Sequence, residues 1–249
     1  MKDIQNKNLS LLNIAKEFFS YKEHWIFILP AMGIIAYWLL LSIQYGFSSS
    51  SLVYFILGWL IFLPQEYLTH IYVLHAPMPK KNKWFYTHWY RLHYGHHDLP
   101  KRHDLMYMPM WLTVPMMLLN LALFWLISNN NLNFATSYLG ATFGYLTFEW
   151  YHLLCHVPYN PKSKIWYNLR NQHNRHHYLH EKYWYSVSPP AYFLDKIFGT
   201  SADYKKITKS NTGRHLEMGD SHPWLLAARE KFAKDGNGQT TSSSRLWDK

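Results

Sequence analysis

Long uncharged stretches alternate along this chain with polar segments crowded with histidine, a pattern that predicts membrane-crossing helices joined to a polar cap. Trp25 to Ile43 holds nineteen residues without a charge and Leu105 to Ser128 holds twenty-four. Each is long enough for a helix rising ~1.5 Å per residue to cross a hydrocarbon core of ~30 Å. Two further stretches are interrupted or shorter: Tyr45 to Tyr67 is uncharged until Glu66 and contains Pro64, and Leu132 to Phe148 has seventeen residues. The expected fold is an all-α integral membrane protein with four transmembrane helices, at about 25–43, 47–67, 105–128 and 132–150. They form two hairpins, closed by uncharged loops around Gln44 to Ser50 and Asn129 to Asn131.

The flanks read differently. Residues 1–24 are expected to form an amphipathic helix in the membrane interface, because Leu11, Leu12, Ile14, Ala15, Phe18 and Phe19 recur at helical spacing; packing against the rest of the protein is the alternative. Met1 to Ser10 lacks the apolar core and cleavage site of a signal peptide, so this stretch is expected to stay on the protein. Residues 25–200 are expected to hold the spans and the catalytic apparatus, 201–234 a cytoplasmic C-terminal segment, and 235–249, rich in Gly, Ser, Thr and Gln, a disordered tail.

Composition changes this picture in one respect. The mean hydropathy of -0.26 resembles that of a soluble protein, but it averages a polar, histidine-rich part with the apolar stretches. Charge gives the orientation. Of twenty-five Lys and Arg residues, four precede Trp25, six lie between Lys80 and Arg102, and fifteen follow His156, while both outer loops contain none. By the positive-inside rule, both termini and every histidine cluster are expected on the cytoplasmic side of a bacterial inner membrane or the endoplasmic reticulum. Anionic headgroups account for the net charge of +10, and no basic stripe with interleaved stacking aromatics suggests nucleic acid. Cys155 is the only cysteine, which excludes an intramolecular disulfide.

Ten of the sixteen histidines fall in four clusters: HIYVLH at His70 and His75, HYGHH at His93, His96 and His97, HLLCH at His152 and His156, and HNRHH at His173, His176 and His177. On a helix, an HxxHH triplet places its rings at i, i+3 and i+4, so three imidazoles leave one face within reach of a shared centre. His70 and His75 are less simple, since five residues turn an ideal helix to about 140°. They are expected to sit at a helix end or to serve different metals. Two HxxHH triplets arise together by chance in only a few such chains per thousand, on the order of magnitude a motif argument allows.

Ten imidazoles exceed the shell of one transition metal, so two ions are implied. The near absence of carboxylates argues against a dizinc or dimagnesium hydrolase, while imidazole alone leaves iron, zinc, copper and nickel open. A weak repeat accompanies the clusters: each hairpin ends in a spaced pair followed by a triplet, so each half is expected to supply five ligands to a cytoplasmic helical cap holding a dimetal site. Glu66 lies four residues before His70 and Glu149 three before His152, where either could accept a ligand's second N–H. His180, one turn after His176, is the best eleventh candidate. A centre at a membrane face suits a lipid or acyl substrate that arrives sideways with its chain kept from water.

The motif order HxxxxH, HxxHH, HxxxH, HxxHH resembles the fatty acid 2-hydroxylase branch of the fatty acid hydroxylase and sterol desaturase superfamily, as do GYLTFEWYHLLCH from Gly144, NQHNRHHYLH from Asn171 and LDKIFGT from Leu194. The likeness runs from about Glu66 to Thr200. It implies a non-haem dimetal oxygenase that uses O2 and two electrons on an unactivated C–H bond. The ten clustered histidines are then the ligands of two metal ions, iron by expectation, although zinc can occupy such a site after purification. The chain carries no HPGG motif of a fused cytochrome b5 domain, so a separate electron donor is expected, cytochrome b5-like, ferredoxin-like or a flavoprotein. EKYWYSVSPP after His180 departs from the acyl hydroxylase pattern, which keeps a sterol, carotenoid or other lipid desaturase or hydroxylase as the rival reading. A membrane zinc hydrolase or metal-handling protein is the reading from another class.

Overall fold

The computed structural model describes residues 10–46, 49–159, 162–213, 216 and 222–235, and the regular structure among them is entirely helical. Helix α1 (Leu11–Ser20) starts where the Ser10 hydroxyl accepts the Asn13 N–H. Its Ile14 and Phe18 pack on Met106, Tyr107 and Leu153, while Leu11, Leu12 and Phe19 stay exposed. The helix therefore docks by one edge and turns a second apolar edge outward. Helices α2 (Lys22–Tyr45) and α3 (Ser49–Thr69) follow, and a π turn over His70–Leu74 extends α3.

After α4 (Lys83–Trp89), started by the Asn82 side chain, comes a second π turn, Tyr90–Tyr94, and then α5 (Gly95–Asp98). A short α6 (His103–Met106) precedes α7 (Met110–Ile127) and α8 (Asn131–His156). The remainder is α9 (Lys164–Tyr178), α10 (Tyr192–Ile197) and α11 (Pro223–Asp235). The tail expected over 235–249 lies, beyond Asp235, outside the described residues.

Among the described residues three helical stretches are long and apolar enough to cross a membrane: Lys22–Tyr45, Ser49–Leu74 and His103–Ile127. The last is broken near its start, because Pro109 disfavours helix at the residue before it and stands as the N-cap of α7 in extended conformation. The span expected from Leu105 thus becomes a short α6 followed by a later α7.

Helix α8 has a different character. Fifteen of its twenty-six residues are buried, against three of twenty-four in α2. It runs through the middle of the bundle, packed by α2, α3 and α7. Its small polar residues explain the weak hydropathy signal: Thr136 and Ser137 turn their hydroxyls onto the carbonyls of Leu132 and Asn133, which lets these two side chains sit inside with their hydrogen bonds met.

The α3–α8 contact depends on glycine. A Cβ on Gly58 would lie 1.9 Å from the Ser137 carbonyl oxygen, and one on Gly140 would lie 1.9 Å from that of Phe55. Without side chains the two backbones meet, a close approach that small residues permit in membrane helices. Gly140→Ala is expected to lower stability by about 1–3 kcal/mol through overpacking, read as a lower melting temperature in detergent. Gly33→Ala on α2, where a Cβ meets nothing within 4 Å, is the control and should be neutral or stabilising by up to about 1 kcal/mol.

Candidate metal centre

The parallel ends of α3 and α8 carry the two spaced pairs. An ideal helix would splay His70 and His75, but the chain between them takes the wider π turn, in which the His75 N–H bonds to the His70 carbonyl at 3.1 Å. The two ring centres come within 5.0 Å and face one site. On α8, His152 and His156 lie one turn apart and meet edge to face, with ring centres 5.2 Å apart.

The second π turn prepares the first triplet. It ends at Gly95, where a Cβ would lie 2.8 Å from a Tyr90 ring carbon and 3.0 Å from the Tyr90 carbonyl oxygen. Only glycine fits between His93 and His96 without moving that turn. The Tyr90 hydroxyl donates to Asp98, just past His97, and the Arg229 guanidinium from α11 grips both Asp98 oxygens at 2.6 Å. This bidentate pair, with Asp98 buried, ties α11 to the turn that carries the triplet.

All ten clustered histidines come together, in two sets of five. One set is His70, His75, His93, His97 and His176; the other is His96, His152, His156, His173 and His177. Within each set one nitrogen per ring lies within 4.8 Å of all the others. Each triplet is therefore divided, contrary to the expectation of one shared centre per triplet. Its i and i+4 rings join the pair from their own half, and its i+3 ring crosses to the other set. The sets share a wall, where His97 stacks on His177 with ring centres 4.1 Å apart.

The protonation pattern follows from the outer hydrogen bonds. A main-chain carbonyl only accepts, so Nδ1 must carry the proton where His70 meets the Tyr185 carbonyl at 2.6 Å, His97 that of Gly213 at 2.9 Å, and His176 that of Tyr183 at 2.8 Å. Nε2 of each of these rings is then a bare lone pair turned inward. His70 and His97 both aim Nε2 at Nε2 of His93, each at 3.1 Å, and His93 can supply at most one hydrogen to the two. In the second set the inner contacts alone recur: Nε2 of His96 faces that of His152 at 3.0 Å, and Nε2 of His156 and His177 face that of His173 at 2.8 and 3.1 Å. Nitrogen lone pairs directed at one another in this number fit a cation at the middle of each set.

Burial acts in the same direction. It lowers the pKa of His75, His93, His96, His97, His173 and His177 well below the ordinary imidazole range, neighbouring imidazoles adding to the effect. Burial likewise lowers that of His176, from 6.5 to about 4. These groups stay neutral at physiological pH, the form that binds metal.

The matching family model is Fatty acid hydroxylase, and it aligns with residues 55–200, more than half of the sequence. The chain belongs to the fatty acid hydroxylase family. It is 26% identical over 156 residues to a fatty acid 2-hydroxylase of Rattus norvegicus, a match covering 61% of this chain and 41% of that protein's length. Its fold matches the solved structure of full-length Scs7p, in which only the hydroxylase domain is visible. The TM-score is 0.62 at 22% identity, with 75% of this chain and 69% of that one covered.

In this family member the supporting groups differ from those the spacing suggests. Glu66 does not meet His70; its carboxylate accepts the N–H groups of Val187 and Ser188, at 2.8 and 2.9 Å, and the Ser188 hydroxyl. Glu149 accepts the Met108 N–H at 3.3 Å rather than a proton from His152. His180 belongs to neither set, its Nδ1 accepting the Lys182 N–H and its ring lying against Tyr183. The carbonyl acceptors at Tyr183, Tyr185 and Gly213 are main-chain groups with no side-chain signature, whereas Gly95 and Asp98 lie in or beside the first triplet and were visible as a glycine and an acid there.

Gly95→Ala is expected to cost about 1–3 kcal/mol of stability as Tyr90 and the π turn are forced aside, measured by thermal unfolding. The metal-free protein should lose stability as pH falls from about 6.5 towards 4. In that window the unfolded chain takes up protons that the buried rings refuse, so protonation favours unfolding. A melting temperature independent of pH across this range would contradict the buried, neutral assignment.

Proposed function

We propose that the protein is a membrane-bound dimetal oxygenase that hydroxylates a lipid acyl chain, at C2 of a fatty acid or of an acyl group within a larger lipid. One observation carries the reading: ten imidazoles, eight of them buried, sort into two adjoining sets of five with no carboxylate in either among the described residues. His70, His75, His93, His97 and His176 hold one metal, and His96, His152, His156, His173 and His177 hold the other. The metal is iron. Bound iron would supply oxygen activation, one atom of O2 entering the C–H bond and the other leaving as water with two electrons from a separate donor and two protons.

The chain's own groups do the positioning. A cavity of about 540 Å³ has His75 in its wall, together with Leu68, Ile71 and Phe198 and the exposed Lys80 and Lys182. An acyl lipid fits such a space with its head toward the lysines and the first carbons of its chain beside the histidines, the order that oxidation at C2 needs. Aromatic walls from Tyr67 and Tyr185 keep water from the reacting carbon.

Helices α2, α3, α7 and α8 cross the bilayer as two hairpins, α8 being sheltered inside the bundle. The clusters and both termini lie on the cytoplasmic side, since every Lys and Arg of the sequence falls on that side of the proposed spans. Lipid profiles of cells expressing the protein should gain 2-hydroxy acyl species, and His176→Ala should reduce that gain at least about tenfold, as loss of a metal ligand implies. A changed sterol or carotenoid pattern with no 2-hydroxy acyl product would transfer the assignment to another lipid oxidation in the superfamily.

A further inference from the structure

The two histidine sets match in number and differ in how their outer nitrogens are held. In the first, His70, His97 and His176 each donate Nδ1–H to a main-chain carbonyl, of Tyr185, Gly213 and Tyr183. In the second, Nδ1 of His96, His152, His173 and His177 is buried with no acceptor among the described residues. One set is braced from outside by protein. The other is not.

The brace is itself anchored. Asp195, fully buried, accepts the N–H groups of Tyr185 at 2.9 Å and Ser186 at 3.0 Å. Glu66 takes those of Val187 and Ser188. Four successive N–H groups thus end on two carboxylates, which fixes the path of residues 183–188 and sets the carbonyls of Tyr183 and Tyr185 against His176 and His70. The Thr200 hydroxyl holds Asp195 in turn, at 2.7 Å. A ligand whose second nitrogen donates to such an acceptor has a set tautomer and ring angle and is a stronger base, and loss of the acceptor weakens a metal site about 10- to 100-fold.

We propose that the two sets hold metal unequally, the set of His70, His75, His93, His97 and His176 being the tighter, and that Asp195 is the positioning residue behind the difference. This rests on the dimetal reading above. Asp195 touches no imidazole and acts only through the main chain of residues 185 and 186.

The test is release of ferrous iron from anaerobically loaded full-length protein into a colorimetric chelator. Two equivalents should leave in separate phases with rates at least about tenfold apart. His173→Ala should remove the fast phase and His176→Ala the slow one. Asp195→Asn should speed the slow phase about 10- to 100-fold and leave the fast phase unchanged, whereas a role confined to general stability would speed both together and overturn the assignment of Asp195. If that variant does not fold, the wild-type phases and the two histidine variants still decide the inequality.

Two equivalents leaving in one phase, or a slow phase abolished by His173→Ala and kept by His176→Ala, overturns the proposal and leaves the dimetal reading standing. Uptake of a single equivalent that survives His173→Ala and not His176→Ala supports the inequality while removing the dimetal reading. No uptake at all removes both.

Discussion

The structure depends on keeping ten closely packed imidazoles, eight of them buried, neutral with their lone pairs turned inward. An uncharged ring can be buried at modest cost only if its N–H finds an acceptor or its bare nitrogen finds a cation. Three rings of the first set meet the first condition through main-chain carbonyls, and both sets are arranged for the second. Much of the surrounding architecture serves these requirements: two buried carboxylates spend their hydrogen-bonding capacity on backbone N–H groups so that carbonyls, rather than carboxylates, face the histidines.

Bringing five rings around each centre requires departures from ideal helix geometry. The π turns at His70–Leu74 and Tyr90–Tyr94 each insert one residue per turn, which rotates His75 and the first triplet onto their targets. Glycine makes the remaining room: Gly95 accepts the second turn against Tyr90, and Gly58 and Gly140 let α3 and α8 touch at the backbone. That contact fixes the separation of the two helices whose ends carry His70 and His152. The exchange of the i+3 rings then links the halves, so that neither half completes a set of five alone.

The segment after residue 200 contributes to a site whose family match ends there. Gly213 supplies the acceptor for His97, and Arg229 on α11 holds Asp98 beside the first triplet while Phe232 stacks on Tyr90. Part of the outer wall of one centre is thus built from chain that lies beyond the matched core.

By itself the sequence determined the histidine clusters and the helical class. Histidine spacing on helices, long uncharged stretches and one-sided basic residues are local patterns, legible because a helix repeats every 3.6 residues and a membrane demands a minimum apolar length. It also carried the glycine inside HYGHH, whose need for space appears only once Tyr90 is in place. Tertiary structure decided the rest. Which set each ring joins depends on how α5 and α9 face one another, and so His96 and His176 cross over in a way no spacing within a triplet encodes. Glu66, Glu149 and His180 sit at helical distance from clustered histidines and yet turn elsewhere, the two carboxylates because they go to the strongest unmet donors around them, and backbone N–H groups of a folded loop are donors that a sequence does not position. The acceptors that do meet the histidines are carbonyls, which every residue owns. Only the path of the chain selects among them.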